Sequence, residues 1–124
     1  MASPLEAAVH PDGNGARIVL TGSIDRDGDD AMTRAYTQAH DLGHGEIVLD
    51  FAATDYINST GIALIVRLLA QARKDGRPVR ASGLSEHYRE IFRITRLSDF
   101  ITLDADGTAG DQTDAPTQQV GGSR

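Results

Sequence analysis

Residues 47–62, IVLDFAATDYINSTGI, place the strongest constraint on how this chain can fold. Residues 47–49 form a short apolar run that ends at Asp50, which is typical of a buried strand. A polar connection follows, and residues 57–61 then lead into a helical pattern that lasts to about Asp75. Because Asn, Ser and Thr side chains accept hydrogen bonds from the free N–H groups of a first helical turn, we predict that a helix begins here.

Ser59 can be interpreted in two ways. The start of a helix carries partial positive charge and unpaired N–H donors, so a hydroxyl at this place can hold a phosphate group. Alternatively, Asn58 and Ser59 serve only as helix caps, and local chemistry alone favours this second interpretation.

The rest of the chain predicts strands that alternate with helices. Strands are expected at residues 5–9, 16–21, 47–49, 79–82 and 100–103, and helices at about residues 30–40, 59–75 and 85–96. Turn-forming residues 11–15 join the first two strands in a hairpin, and residues 22–30 are expected to form a polar loop. This order predicts an α/β fold: an N-terminal β-hairpin, then alternating elements that build a mixed, mainly parallel sheet of four to five strands flanked by helices.

The composition of the chain changes after Leu103. Residues 1–103 are expected to form one domain. Residues 104–124 contain mostly Gly, Thr, Gln and Asp, with almost no large apolar side chain. Because such a segment cannot bury enough apolar surface to order itself, we predict a disordered polar tail.

The helix over residues 59–75 has two predicted faces. The face expected to pack on the sheet contains Ile62, Ile65, Val66, Leu69 and Ala72. The face expected to meet solvent contains Thr60, Leu64, Arg67 and Gln71. An apolar Leu64 on the solvent side is compatible with a contact surface for a partner, although single exposed leucines are also ordinary.

Composition excludes several classes of function. A net charge of −6 argues against a nucleic-acid partner held by phosphate contacts. The absence of cysteine excludes disulfides, zinc–thiolate sites and thiol nucleophiles. Residues 1–6 lack the pattern of a secretory signal, and no apolar run is long enough to span a bilayer. We therefore expect a cytoplasmic protein without direct membrane insertion.

Three apparent catalytic or metal-binding patterns fail on their details. Residues 25–30 look like a calcium-binding loop, but its sixth position lacks the required glycine, and Tyr36 stands where a bidentate glutamate belongs. His40 and His44 have the spacing of metal ligands on a helix, but glycines interrupt that helix. Ser59 lies in neither a G-x-S-x-G nor an S-x-x-K motif. We therefore predict no metal, no cofactor and no enzymatic activity.

The run Asp50-Phe51-Ala52, followed by Ile57-Asn58-Ser59-Thr60-Gly61 and an Ile/Leu/Val-rich helix, resembles the STAS domain. This is the fold of bacterial anti-sigma-factor antagonists and of the cytoplasmic domain of sulphate transporters. Residues 21–25, TGSID, are similar to the family's G-x-[LI]-D turn after its second strand. Residues 77–79 and 91–100 also fall where the family has a later strand and helix, so the resemblance covers roughly residues 5–103.

The resemblance implies a phosphorylation switch that regulates transcription, for example in a stress response. By analogy with the family, Ser59 is phosphorylated by a Ser/Thr kinase that is also the anti-sigma factor, and Thr60 is the alternative site. The unphosphorylated domain binds this kinase and frees the sigma factor, and a metal-dependent Ser/Thr phosphatase resets the cycle. Asn58 stands where the family more commonly has Asp, which removes one negative charge beside the hydroxyl.

The resemblance also implies a partner-binding surface around the phosphorylated serine. Asp25 corresponds to an aspartate near that serine, and Asp55 is expected to lie close to Asp25. The predicted surface consists of Asp25, Asn58, Ser59, Thr60, Gly61, Leu64 and Arg67.

Other roles of STAS domains remain open alternatives. Members of the family also build large stress-sensing assemblies or serve as small subunits of lipid ABC transporters. A nucleotide-binding module is a third alternative, and a homo-oligomer is compatible with each of them.

Overall fold

An initial hairpin is followed by alternating helices and strands in residues 4–104, the part of the chain that the computed structural model describes. The strands are β1 (Glu6–Asp12), β2 (Gly15–Ile24), β3 (Ile47–Asp50), β4 (Thr54–Ile57), β5 (Val79–Ser82) and β6 (Thr102–Leu103). The helices are α1 (Asp29–Asp41), α2 (Ser59–Lys74) and α3 (Glu86–Ile94). The predicted α/β fold is confirmed, and the predicted tail, apart from Asp104, lies outside the described residues.

The sheet is mixed, as the sequence predicts. Its strand order is β1-β2-β3-β5-β6, with β4 paired to the end of β2. β1 and β2 are antiparallel, whereas the pairs β2–β3, β2–β4, β3–β5 and β5–β6 are parallel. In the hairpin Asp12 lies opposite Gly15, and Gly13 adopts a φ of 60°, which glycine tolerates best in so tight a turn.

The prediction for residues 22–30 and for residues 51–56 was wrong in one respect. Both were expected to be polar connections, but residues 22–24 extend β2 and pair with β4, which begins at Thr54. In β4 only Ile57 is buried, while Asp55 and Tyr56 are exposed. A strand with a single buried side chain has no apolar run, so its pairing depends on a partner that is distant in sequence.

All three helices pack on the same face of the sheet. The alternating inward residues of β2, β3 and β5 belong to one core that also contains the buried side chains of α1, α2 and α3. Phe92 of α3 meets Phe51 edge-to-face, with 6.0 Å between the ring centroids. Each helix follows a strand after a short connection, so the helix starts lie near the carboxyl ends of β2, β4 and β5.

The opposite face of the sheet is covered by its own arginine side chains. Val48 lies between Arg17 and Arg80 in register and is only 8% exposed, although no helix of residues 4–104 covers it. Arg17 donates a hydrogen bond to Asp50 at 3.0 Å, and Arg80 donates one to Glu46 at 2.9 Å. The aliphatic parts of the two arginines thus shield Val48 while their charged groups remain paired.

Arg77 caps the carboxyl end of α1 from the start of β5. Its side chain is buried, and Nη1 donates to the carbonyls of Ala39 at 2.9 Å and His40 at 3.2 Å. Nε donates to the carbonyl of Gly45 at 2.9 Å. The guanidinium therefore donates to two carbonyls at the negative end of the helix dipole, and one of them, that of Ala39, also accepts the Leu42 N–H at 3.1 Å. The sequence pattern indicated only that residues 77–78 lead into a strand.

Replacing Arg77 with methionine should destabilise the fold strongly. Arg77→Met keeps much of the side-chain volume but removes the donor to the His40 and Gly45 carbonyls, while the Ala39 carbonyl keeps the Leu42 N–H, so we expect the free energy of unfolding to fall by about 2–4 kcal/mol. The matched control Arg34→Met changes an exposed arginine of α1 and should alter stability by less than about 0.5 kcal/mol. Urea denaturation measures the free energy of unfolding of both variants. Equal losses of stability in the two would contradict the capping role of Arg77.

Candidate functional site

Asn58 attaches the start of α2 to the end of β2. Its Oδ1 accepts a hydrogen bond from the Gly61 N–H at 2.8 Å, and its own N–H donates to the Ile24 carbonyl at 3.2 Å. The backbone of Asn58 is extended, as expected of a residue that caps a helix start. The predicted beginning of a helix at this motif is therefore confirmed, and the capping side chain is that of Asn58.

Gly61 lets α2 approach the sheet closely. A Cβ atom on Gly61 would lie 2.0 Å from the carbonyl oxygen of Ile24. Any larger residue would push the helix start away from β2. Gly61 is buried, so this member of the predicted partner surface acts through packing and offers no side chain to a partner.

Ser59 follows the cap as the first residue of α2 and is exposed. The capping bond belongs to Asn58, and no side-chain hydrogen bond of Ser59 occurs within residues 4–104. The Ser59 hydroxyl is thus at the positive end of the helix dipole and accessible from outside.

An acidic cavity of about 270 Å³ lies beside the helix start. It is lined by Asp25, Arg26, Asp27, Asn58 and Thr60. The Asp25 carboxylate accepts a hydrogen bond from the Asp27 N–H at 3.0 Å, which stabilises the 3₁₀ turn of residues 26–28. The fold therefore brings Asp25, Asn58 and Thr60 together around this cavity. Asp55 is exposed on β4 and does not line this cavity.

The predicted faces of α2 were wrong at two positions, whereas Ile65, Leu69 and Ala72 are buried as predicted. Leu64, expected on the solvent side, is only 7% exposed, whereas Val66, expected to face the sheet, is 43% exposed. Arg67 is exposed and donates a hydrogen bond to Asp29 of α1. The side of α2 that carries Leu64 and Arg67 therefore faces α1. A helical wheel of one segment does not reveal that a second helix lies alongside it.

A groove of about 390 Å³ separates α1 from α2, with Met32, Leu64 and Leu68 among its lining residues. At one end the Tyr36 hydroxyl donates to the Asp75 carboxylate at 2.6 Å. Burial and this hydrogen bond raise the pKa of Tyr36, and the same bond lowers the pKa of Asp75. These polar groups bond to each other across the groove, which indicates a role in helix packing.

Among the residues considered as metal ligands, Asp25 and Asp27 line the cavity beside α2, and His40 lies in α1. Within residues 4–104 no three His, Cys, Asp or Glu side chains gather in a way that could hold a metal ion. Residues 26–28 form the 3₁₀ turn, and α1 begins directly after it. The same part of the chain contains no helix long and apolar enough to cross a bilayer.

Residues 7–103 match the family model described as Mlab, STAS domain. Because the match covers most of the chain, this protein belongs to the STAS domain family. No curated protein sequence is significantly similar to it.

Several solved structures share the fold. An anti-sigma factor antagonist from Mycobacterium paratuberculosis has a TM-score of 0.65 at 19% identity, over 86% of this chain and 92% of the other. The anti-sigma factor antagonist SpoIIAA in its unphosphorylated form has a TM-score of 0.58 at 13% identity, over 89% of both chains. The Bacillus cell fate determinant SpoIIAA in its phosphorylated form has a TM-score of 0.56 at 16% identity, over 83% of this chain and 95% of the other.

A methyl group at position 61 should disrupt the helix start. An alanine is intrinsically better than glycine inside a helix by about 1 kcal/mol. The clash with the Ile24 carbonyl outweighs this gain, so we expect Gly61→Ala to lower the free energy of unfolding by about 2 kcal/mol. The control Thr60→Ala changes the exposed neighbour and should have a small effect. Chemical denaturation measures the free energy of unfolding of both variants. A Gly61→Ala protein as stable as the wild type would show that α2 does not need this close contact.

Proposed function

We propose that this protein is a cytoplasmic anti-sigma-factor antagonist that regulates transcription by exchanging partners. In this proposal it binds an anti-sigma-factor Ser/Thr kinase while Ser59 is unmodified, and phosphorylation of Ser59 releases the kinase. The observation that carries the proposal is the exposed Ser59 hydroxyl at the start of α2, with the capping role taken by Asn58. Membership of the STAS family and the fold shared with anti-sigma factor antagonists support it.

The electrostatics around Ser59 favour release of the partner after phosphorylation. A phosphoserine adds about −1.5 to −2 of charge. The positive end of the α2 dipole tolerates this charge within the domain. Asp25 and Asp27 outnumber Arg26 among the charged residues that line the adjacent cavity, so the phosphate adds to a net negative patch on the outer surface. A partner lying over this patch is repelled and loses contact, while the fold need not change.

The neutral Asn58 side chain is compatible with this switch. It supplies the capping oxygen that an aspartate would supply, as the bond to the Gly61 N–H illustrates. The neutral side chain leaves less negative charge beside the hydroxyl before phosphorylation. The added phosphate therefore produces a larger relative change in the local charge.

Thr60 is the alternative modified residue. It is exposed and lines the cavity next to Asp25. In either case a metal-dependent Ser/Thr phosphatase removes the phosphate and resets the cycle.

Phosphate transfer to Ser59 is the direct test. The purified protein is incubated with radiolabelled ATP and, in turn, each purified anti-sigma-type Ser/Thr kinase of the source organism. We expect one kinase to label the wild type and the Thr60→Ala variant, and to leave Ser59→Ala unlabelled. Calorimetry with that kinase should give an affinity at least about tenfold weaker for Ser59→Asp than for Ser59→Ala, because like charges at an interface are costly.

Two results would contradict the proposal. Equal affinities of Ser59→Ala and Ser59→Asp for the kinase would exclude a charge-driven release. Absence of labelling by every kinase, together with stable binding to a membrane ATPase or a particle far above 13.2 kDa, would favour a transporter subunit or a stress-signalling assembly instead.

A further inference from the structure

The groove between α1 and α2 has an apolar floor and a polar rim. Met32, Leu64 and Leu68 line it and are buried, so they form its floor. The rim consists of polar side chains of both helices, among them Thr37 of α1 and Asp75 of α2, which are exposed. Its volume of about 390 Å³ lies within the range of cavities that hold small molecules.

Two side-chain bonds between the helices fix the width of the groove. Arg67 of α2 donates to Asp29 of α1, and Tyr36 of α1 donates to Asp75 of α2. Along each helix the two bonds are about two turns apart. Because they hold α1 and α2 at a set spacing, the groove is preformed, as small-molecule sites commonly are. The apolar floor meets no protein atoms on its open side, so a ligand would supply the missing dispersion contacts.

The Asp75 carboxylate on the rim has no cationic partner among residues 4–104. Its hydrogen bonds come from two uncharged groups, the Tyr36 hydroxyl at 2.6 Å and the Gln71 amide at 3.4 Å. Because the bond from Tyr36 lowers the pKa of Asp75, the carboxylate is ionised at neutral pH. A carboxylate has about four lone-pair positions, so these two donors leave room for a third.

The charges of the groove favour a cation over an anion. Of the described residues that line it, Arg67 is the only arginine or lysine, and its guanidinium is paired with Asp29. A phosphate or carboxylate ligand would lie near the Asp75 carboxylate without an unpaired guanidinium or ammonium group to offset the repulsion. The groove is therefore a poor site for the nucleotide considered from the sequence.

We propose that the groove between α1 and α2 binds a small amphipathic amine, with its apolar body on Met32, Leu64 and Leu68 and its ammonium group on Asp75. Such a molecule supplies dispersion contacts to the floor and a charge-assisted hydrogen bond to the carboxylate. This inference goes beyond the proposed function and does not depend on Ser59.

An NMR titration of the full chain with two amines, phenethylamine and tryptamine, tests the proposal. In phosphate buffer we expect shift changes in the amides of residues 33–40 and 64–75, with a dissociation constant of about 1 mM for ligands of roughly ten heavy atoms. The uncharged analogues phenethyl alcohol and tryptophol should bind about fivefold more weakly, because they lack the charge-assisted bond. The anion hydrocinnamate should not bind.

Two pairs of variants locate the site. Asp75→Asn should weaken binding of the amines by about fivefold and leave the alcohols unaffected. Its control Asp30→Asn removes an exposed carboxylate of α1 outside the groove and should change neither. Thr37→Trp fills the groove and should abolish binding of amines and alcohols, whereas Gln38→Trp places the same ring on α1 outside the groove and should preserve both. Unchanged circular dichroism and thermal midpoints establish that the variants remain folded.

Each contrary result overturns a specific part of the proposal. Equal affinities for amines and alcohols, or full affinity of Asp75→Asn for the amines, would show that Asp75 does not bind an ammonium group. Binding of hydrocinnamate in the groove would assign the site to anions. If neither amine shifts the amides of the groove at several millimolar, or if Thr37→Trp binds them as the wild type does, the groove is not the site. The proposed phosphorylation of Ser59 stands or falls separately, on its own labelling experiment.

Discussion

The carbonyl group of Ile24 determines where Ser59 lies. It accepts the hydrogen bond from the Asn58 N–H, and the Cα of Gly61 packs against it at a distance that excludes a side chain. Ile24 ends β2, which pairs with three other strands and is the most constrained strand of the sheet. The sheet itself therefore positions the serine, although Ser59 is exposed. Under the proposed function, a phosphate on Ser59 is expected to change the surface charge while the helix start keeps its place.

The one-sided packing of the helices determines which part of α2 a partner can reach. One side of α2 packs on the sheet, and the adjacent side, with Leu64 and Arg67, faces α1. The side that begins at Ser59 and passes through Val66 is exposed. On the other face of the sheet Arg17 and Arg80 flank Val48, and their charged groups pair with Asp50 and Glu46.

Short-range features of the fold could be predicted from the sequence, and long-range contacts could not. The cap at Asn58 depends on residues three apart, so the motif was sufficient to predict the start of α2. The strand β4 pairs with residues more than thirty positions earlier, and its own sequence has no strand pattern. Leu64 is buried by α1, and Arg77 bonds to carbonyls at the end of α1. In each case the deciding neighbour belongs to another element, which a local pattern does not reveal.

The most direct test of the central claim is to compare backbone amide NMR spectra of the protein before and after phosphorylation of Ser59. Because the helix start is held by the Ile24 carbonyl, we expect shift changes confined to residues 25–27 and 58–63, with the amides of core residues such as Leu49 and Ile65 unaffected. Shift changes that spread through the core, or loss of the Asn58 and Gly61 hydrogen bonds, would show that the phosphate acts by remodelling the fold and would contradict a switch based on surface charge.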